Sequence, residues 1–184
     1  AAYAARFAIK AHIFVSVNAP KSKLLQIQSY GAIVHEISGF RDCVEQEAIS
    51  FVKKNNLIYA SHSRSAYLLE GMKTFSYELI YDFIDSGEFP DHIVFPVGNG
   101  SLLLATWRGL EELVVLGELK KIPKLHCVQP ELIMPVVSRF KKNKYVVGGN
   151  ETIALGASVV NPFRINQILD AIYFTGGDAI GVSE

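Results

Sequence analysis

Apolar and polar positions along this chain alternate between two periods. His-Ile-Phe-Val-Ser-Val at 12–17 and Ala-Ile-Val-His-Glu-Ile at 32–37 are short β-branched and aromatic runs that read as strands. Between them, Asn18-Ala19-Pro20 turns the chain into a helix over 21–30, with Leu24, Leu25 and Ile27 at helical spacing. Gly31 stands where a helix end favours a left-handed residue. Ser38 and Gly39 break the second strand, and a helix over 42–54 follows with Val44, Ala48, Ile49, Phe51 and Val52 on one face. The pattern predicts a brief strand at 57–60, a long helix over 69–86, a strand at 91–97 and a helix over 101–116. A strand at 124–128, an irregular basic stretch over 130–149, a helix over 165–174 and a strand at 178–182 complete it.

Strands apolar on both faces and separated by helices predict an α/β fold with parallel sheets. The polar run Ser61-His62-Ser63-Arg64-Ser65 is the clearest break in the pattern. It divides the chain into a smaller α/β unit, 1–60, and a larger one, 61–184. The first residues, Ala-Ala-Tyr-Ala-Ala-Arg, read as the interior of a helix with no initiator Met and no N-cap, and the chain stops directly after an apolar strand. Both ends read as cuts in a longer protein.

Composition narrows the classes. Hydrophobic residues make up 49% of the 184 and charged residues 20%, which supports a packed core and argues against disorder. Eighteen Lys+Arg balance eighteen Asp+Glu, so a nucleic-acid partner is not expected. No apolar run reaches the length that spans a bilayer, so no membrane partner is expected. Two cysteines, Cys43 and Cys127, rule out a disulfide scaffold and fit a cytoplasmic setting. Both read as packing residues.

The sharpest chemical signal is Phe95-Pro96-Val97-Gly98-Asn99-Gly100-Ser101-Leu102. A buried strand ends, two glycines turn the chain and a helix begins. Its first N–H groups and the positive end of its dipole suit an anion, at the carboxyl edge of a parallel sheet where ligands bind. A tight strand-to-helix turn with no ligand fits the same pattern. No Walker lysine follows, the third glycine of the dinucleotide fingerprint is replaced by Leu103, and Cys-x-x-Cys and His-Glu-x-x-His are absent. His12, His35, His92 and His126 sit in or beside predicted strands and read as structural; His62, in the polar loop, is the one candidate for a site. Trp107 reads as core. Lys73 reads as a surface residue on the long helix, and Arg139, Lys141, Lys142 and Lys144 as a solvated basic loop.

Taken in order, several segments resemble the threonine synthase branch of the fold-type II pyridoxal-phosphate enzymes. Ala2-Tyr3-Ala4-Ala5-Arg6 is similar to the helix after that family's Ser-Gly-Asn motif, and Ala19-Pro20-Lys21-Ser22-Lys23 and Tyr30-Gly31-Ala32 to its small-domain signatures. Leu69-Glu70-Gly71-Met72-Lys73-Thr74 is similar to its Glu-Gly-x-Lys-Thr segment, and Pro96-Val97-Gly98-Asn99-Gly100-Ser101 to its cofactor phosphate loop. Glu151-Thr152-Ile153-Ala154, Asn161-Pro162 and Gly176-Gly177-Asp178-Ala179 resemble later segments of its large domain. The resemblance implies pyridoxal 5′-phosphate as cofactor, with Gly98, Asn99, Gly100, Ser101 and Leu102 around its phosphate. It implies the later part of the small domain at 1–60 and much of the large domain at 61–184. It places the Schiff-base lysine before Ala1 and the partner of the ring nitrogen after Glu184, so no catalytic residue is expected within the chain.

On this resemblance the longer protein is a cytoplasmic homodimer that converts a small amino-acid substrate, O-phosphohomoserine, with water into threonine and phosphate. His62, Ser63 and Arg64 are the substrate-side candidates. The family's loop carries Asn-Ser-x-Asn-Pro-Tyr-Arg where this chain has His62-Ser63-Arg64-Ser65-Ala66-Tyr67-Leu68. An arginine is thus replaced by Leu68, which binds no anion. That departure leaves room for a serine or threonine dehydratase or ammonia-lyase on the same fold, or for a catalytically inactive relative that binds a small anion or a partner.

Overall fold

Two parallel sheets organise the chain. The computed structural model describes residues 1–39, 41–61, 64–84, 87–143 and 152–183, and the chain divides into two compact units, Ala1–Ala60 and Ser61–Glu184.

The first unit runs α1 (Ala2–Arg6), β1 (His12–Ser16), α2 (Lys21–Ser29), β2 (Ile33–Ile37) and α3 (Arg41–Asn55). β1 and β2 pair in parallel, from His12 opposite Ile33 to Ser16 opposite Ile37. The turn after α2 uses Gly31 at φ +73°, a conformation that costs a residue with a Cβ. Phe51 of α3 lies on the sheet, with ring centroids 4.8 Å from His12 and 5.4 Å from Phe14. His12 Nδ1 and His35 Nε2 are 2.9 Å apart. Burial, then the neighbouring His35, lowers the pKa of His12 below the ordinary imidazole value.

The second unit runs α4 (Ala66–Met72), α5 (Thr74–Ile84), β3 (His92–Pro96), α6 (Ser101–Val115), β4 (Lys124–Pro130) and α7 (Pro135–Phe140). A 3-10 turn (Leu155–Ala157), α8 (Ile165–Thr175) and β5 (Ala179–Val182) follow. The strand order is β3-β4-β5, all parallel. Leu103 and Leu110 of α6, Leu125 and Cys127 of β4, and Ile168 and Ile172 of α8 are buried together. A fully buried side chain of the Leu/Ile class contributes about 1.5–3 kcal/mol relative to exposure. Burial also pushes the Cys127 thiol up to about 12, so this cysteine packs and stays protonated.

The structure departs from the sequence expectations at five places. Residues 57–60 form no strand, and Ile58 is 92% exposed: a short apolar run without a paired neighbour stays open chain. The predicted long helix is two, α4 and α5, joined at Lys73. The join lets α6 approach closely. A Cβ on Gly109 would lie 2.7 Å from the Lys73 carbonyl and 2.7 Å from Ser76 Oγ, and that hydroxyl donates to the Thr106 carbonyl at 2.8 Å. The stretch predicted as irregular contains α7, with Pro135 in its first turn, where a missing N–H costs nothing. Arg139 therefore stands on a helix; Lys144 lies outside the described residues. Cys43, expected to pack, is exposed on α3. Lys73, expected at the surface, has a side chain only 20% exposed. Trp107 packs partly buried against the core, its ring centroid 5.8 Å from that of Phe174.

Candidate functional site

β3 delivers its carboxyl end to a short turn. Val97 continues the ladder, its N–H donating to the Val128 carbonyl at 2.9 Å. The chain then turns through residues 98–100 into α6, whose N-cap is Gly100 at φ +73°. No side chain caps this 15-residue helix, and its first turn holds no acidic residue. Its first backbone bond runs from the Leu104 N–H to the Gly100 carbonyl, 3.0 Å. Among the described residues, the N–H groups of Gly98, Asn99, Gly100, Ser101, Leu102 and Leu103 donate to no protein acceptor. The Ser101 hydroxyl oxygen is buried and likewise has no partner. Buried polar groups are normally hydrogen-bonded. A cluster of free donors with an orphaned hydroxyl, at the positive end of a helix dipole, is the arrangement that a phosphate satisfies.

Protein atoms wedge this turn from behind. A Cβ on Gly98 would lie 2.7 Å from the Gly156 carbonyl oxygen, and one on Gly100 would lie 2.4 Å from Ile168 Cδ1. Packing thus requires both glycines, and at Gly100 the left-handed backbone does so as well. Beside it, a cavity of about 210 Å³ opens at the carboxyl ends of all three strands, lined by Pro96, Val128, Pro130 and Val182 with Ala154 and Ala157 of the facing segment. Ala157 also touches the turn, its Cα 3.4 Å from the Gly98 Cβ position.

Gln129, wholly buried in β4, was missed by sequence reasoning. Its amide Nε2 donates to the Val97 carbonyl at 2.9 Å, and its Oε1 accepts from the N–H groups of Val136 (2.9 Å) and Val137 (3.2 Å) in the first turn of α7. The signal available was an amide inside the apolar run Leu-His-Cys-Val-Gln-Pro.

Elsewhere, Lys73 Nζ lies 2.7 Å from both Glu70 and Glu112. Arg108 also pairs with Glu70, at 3.0 Å, and the Tyr77 hydroxyl donates to Glu112. The hydrogen bonds that its ammonium donates to Glu112 and then Glu70 raise the pKa of Lys73, so its amine stays charged. Of the substrate-side candidates, His62 and Ser63 lie outside the described residues. Arg64 lays its guanidinium over the Phe163 ring, 4.3 Å from the centroid. No group of three or more His, Cys, Asp or Glu that would hold a metal ion occurs among the described residues, and none of their helices is long and apolar enough to cross a membrane.

A sequence model of the family described as "Pyridoxal-phosphate dependent enzyme" matches residues 1–184. A threonine synthase of Methanocaldococcus jannaschii is 33% identical over 191 residues, covering 100% of this chain and 46% of that protein. Another, of Methanosarcina acetivorans, is 33% identical over 168 residues, 88% of this chain and 40% of that one. The chain thus spans less than half the length of these two curated relatives. Among solved structures, a fungal L-serine ammonia-lyase from Rhizomucor miehei superposes with a TM-score of 0.79 at 23% identity, over 98% of this chain and 54% of that one. Maize serine racemase superposes with 0.75 at 20% identity, over 99% and 52%. At these identities the likeness is one of fold.

Proposed function

Because the chain belongs to the pyridoxal-phosphate dependent enzyme family, we propose that the turn at 98–102 holds the phosphate of pyridoxal phosphate in an enzyme that acts on a small amino acid. The observation that carries this reading is the set of unpaired N–H groups with the orphaned Ser101 hydroxyl. Gly98, Asn99, Gly100, Ser101 and Leu102 would hold the phosphate; the apolar cavity at the strand ends would exclude water beside it. When bound, the cofactor supplies an electron sink for charge that develops at the amino acid's α-carbon. This chain's own contribution is to bind and orient. Backbone N–H groups fixed by a strand and a helix need no reorganisation to meet an anion.

Two reactions compete. Hydrolytic conversion of O-phosphohomoserine to threonine and phosphate is supported by the 33% identity to two threonine synthases. Deamination of serine or threonine is favoured by a specific residue: Leu68 stands where the resemblance calls for an arginine, and an aliphatic side chain gives a substrate phosphate nothing to bind. Incubating the full-length protein, loaded with pyridoxal phosphate, with each substrate separates them. Release of inorganic phosphate from O-phosphohomoserine supports the first reading; formation of ammonia and a 2-oxo acid from L-serine or L-threonine supports the second. Failure to bind pyridoxal phosphate at all removes both.

A further inference from the structure

We infer that Gln129 is a positioning residue that locks the anion-holding turn to the first turn of α7, so that the two respond together when a phosphate binds. This rests on the reading of residues 98–102 as a phosphate site. A primary amide is an uncharged side-chain group that donates from one atom and accepts at another. Gln129 uses both at once, donating to the Val97 carbonyl and accepting from Val136 and Val137. The peptide bond whose carbonyl it grips is the one whose N–H belongs to Gly98, the first free donor of the turn. The tilt of that peptide plane sets where the N–H points. With no exposed surface, Gln129 has no water to substitute for a lost partner, so each of its bonds is obligatory. Leu would fill the volume and leave the Val97 carbonyl and two N–H groups unpaired. Glu would keep the acceptor and lose the donor, except when its carboxyl is protonated.

The test uses the full-length protein and pyridoxal phosphate itself. In the wild type, hydrogen–deuterium exchange with and without the cofactor is expected to show slower exchange at 98–103 and also at Val136 and Val137. Protection confined to 98–103 overturns the inference while leaving the phosphate site intact; no cofactor binding by the wild type overturns the phosphate reading instead. Spectroscopic titration of Gln129→Leu is expected to weaken cofactor affinity about tenfold, which corresponds to about 1.4 kcal/mol. Gln129→Glu carries the sharper readout. Its affinity relative to wild type at the same pH should fall as pH rises through the titration of the introduced carboxyl, because only the protonated form donates to Val97. A merely structural role gives a ratio that does not change with pH. A flat ratio, or wild-type affinity in Gln129→Leu, overturns the inference.

Discussion

The backbone N–H of Asp178 donates to Nδ1 of His126 at 3.0 Å, across the join between β4 and β5. This bond fixes the tautomer. Nδ1 must be bare, so the proton sits on Nε2 and is donated to Nδ1 of His92, 2.8 Å away. The Asp178 carboxylate is engaged elsewhere, with Lys141 at 2.6 Å and its neighbour's N–H at 2.8 Å. A second proton on His126 would have to displace the Asp178 N–H.

Stability should therefore fall as the solution turns mildly acidic. Burial, then His92, lowers the pKa of His126 in the folded chain, with Asp178 opposing and Lys124 adding slightly. The unfolded chain, titrating near the ordinary value of about 6.5, takes up the proton first. Stability is full above that value and is lost as pH falls below it, at no more than about 1.4 kcal/mol per pH unit for one proton. His126→Asn, which keeps an acceptor for the Asp178 N–H, should flatten the slope; the lowered His12 leaves the remainder. Urea unfolding at about pH 7.5 and 5.5, on either side of the ordinary value, checks this. Equal slopes in both proteins would refute it.

Removing the Ser101 hydroxyl should separate folding from binding. The oxygen is buried without a partner, so Ser101→Ala should leave thermal stability in the absence of cofactor unchanged or raise it by up to about 1 kcal/mol. Pyridoxal phosphate should bind about ten- to hundredfold more weakly, the loss of one hydrogen bond to a charged group. Unchanged cofactor affinity would show that the hydroxyl faces no phosphate.

Gly100→Ala should damage the fold itself. The new Cβ would lie 2.4 Å from Ile168 Cδ1 in a backbone at φ +73°. Overpacking of this kind costs about 1–3 kcal/mol, and the left-handed conformation adds about 1 kcal/mol. Ile168→Ala removes the colliding atoms but opens a cavity of its own, so the double variant should be less destabilised than the sum of the two single variants. A melting curve superimposable on wild type would refute the prediction.

Lys73 should not be the lysine that bonds the cofactor. Two carboxylates at 2.7 Å keep its amine protonated, whereas a nucleophilic lysine must be held neutral. Borohydride reduction of the loaded full-length protein followed by peptide mapping should leave Lys73 unmodified. Stoichiometric modification at Lys73 would overturn this assignment and the expectation that the covalent lysine lies outside the sequence.

The strand-turn-helix unit at 92–115 was legible because local residues dictate it: an apolar run, Gly98 and Gly100, then the helical stripe of Leu103, Leu104, Leu110 and Leu113. The parallel sheets followed from strands apolar on both faces. What could not be read depends on distant partners. The break at Lys73 lies against Gly109, far along the sequence, whose missing Cβ leaves room for the Lys73 carbonyl. α7 is short and rich in β-branched residues, and the cap that supports it comes from Gln129 on another element. Ile58 has strand propensity but no neighbouring strand. The orphaned hydroxyl of Ser101 is a property of its surroundings, which composition does not encode.

The wedging of Gly98 by the Gly156 carbonyl and of Gly100 by Ile168 makes the turn a preformed mould. Its free N–H groups are aimed by packing that exists before any anion arrives. An arriving phosphate then freezes little backbone motion, so association sheds little chain entropy. Substitutions at these two glycines should accordingly be tolerated only with compensating changes in what packs against them, as in one piece of a casting rather than separate parts.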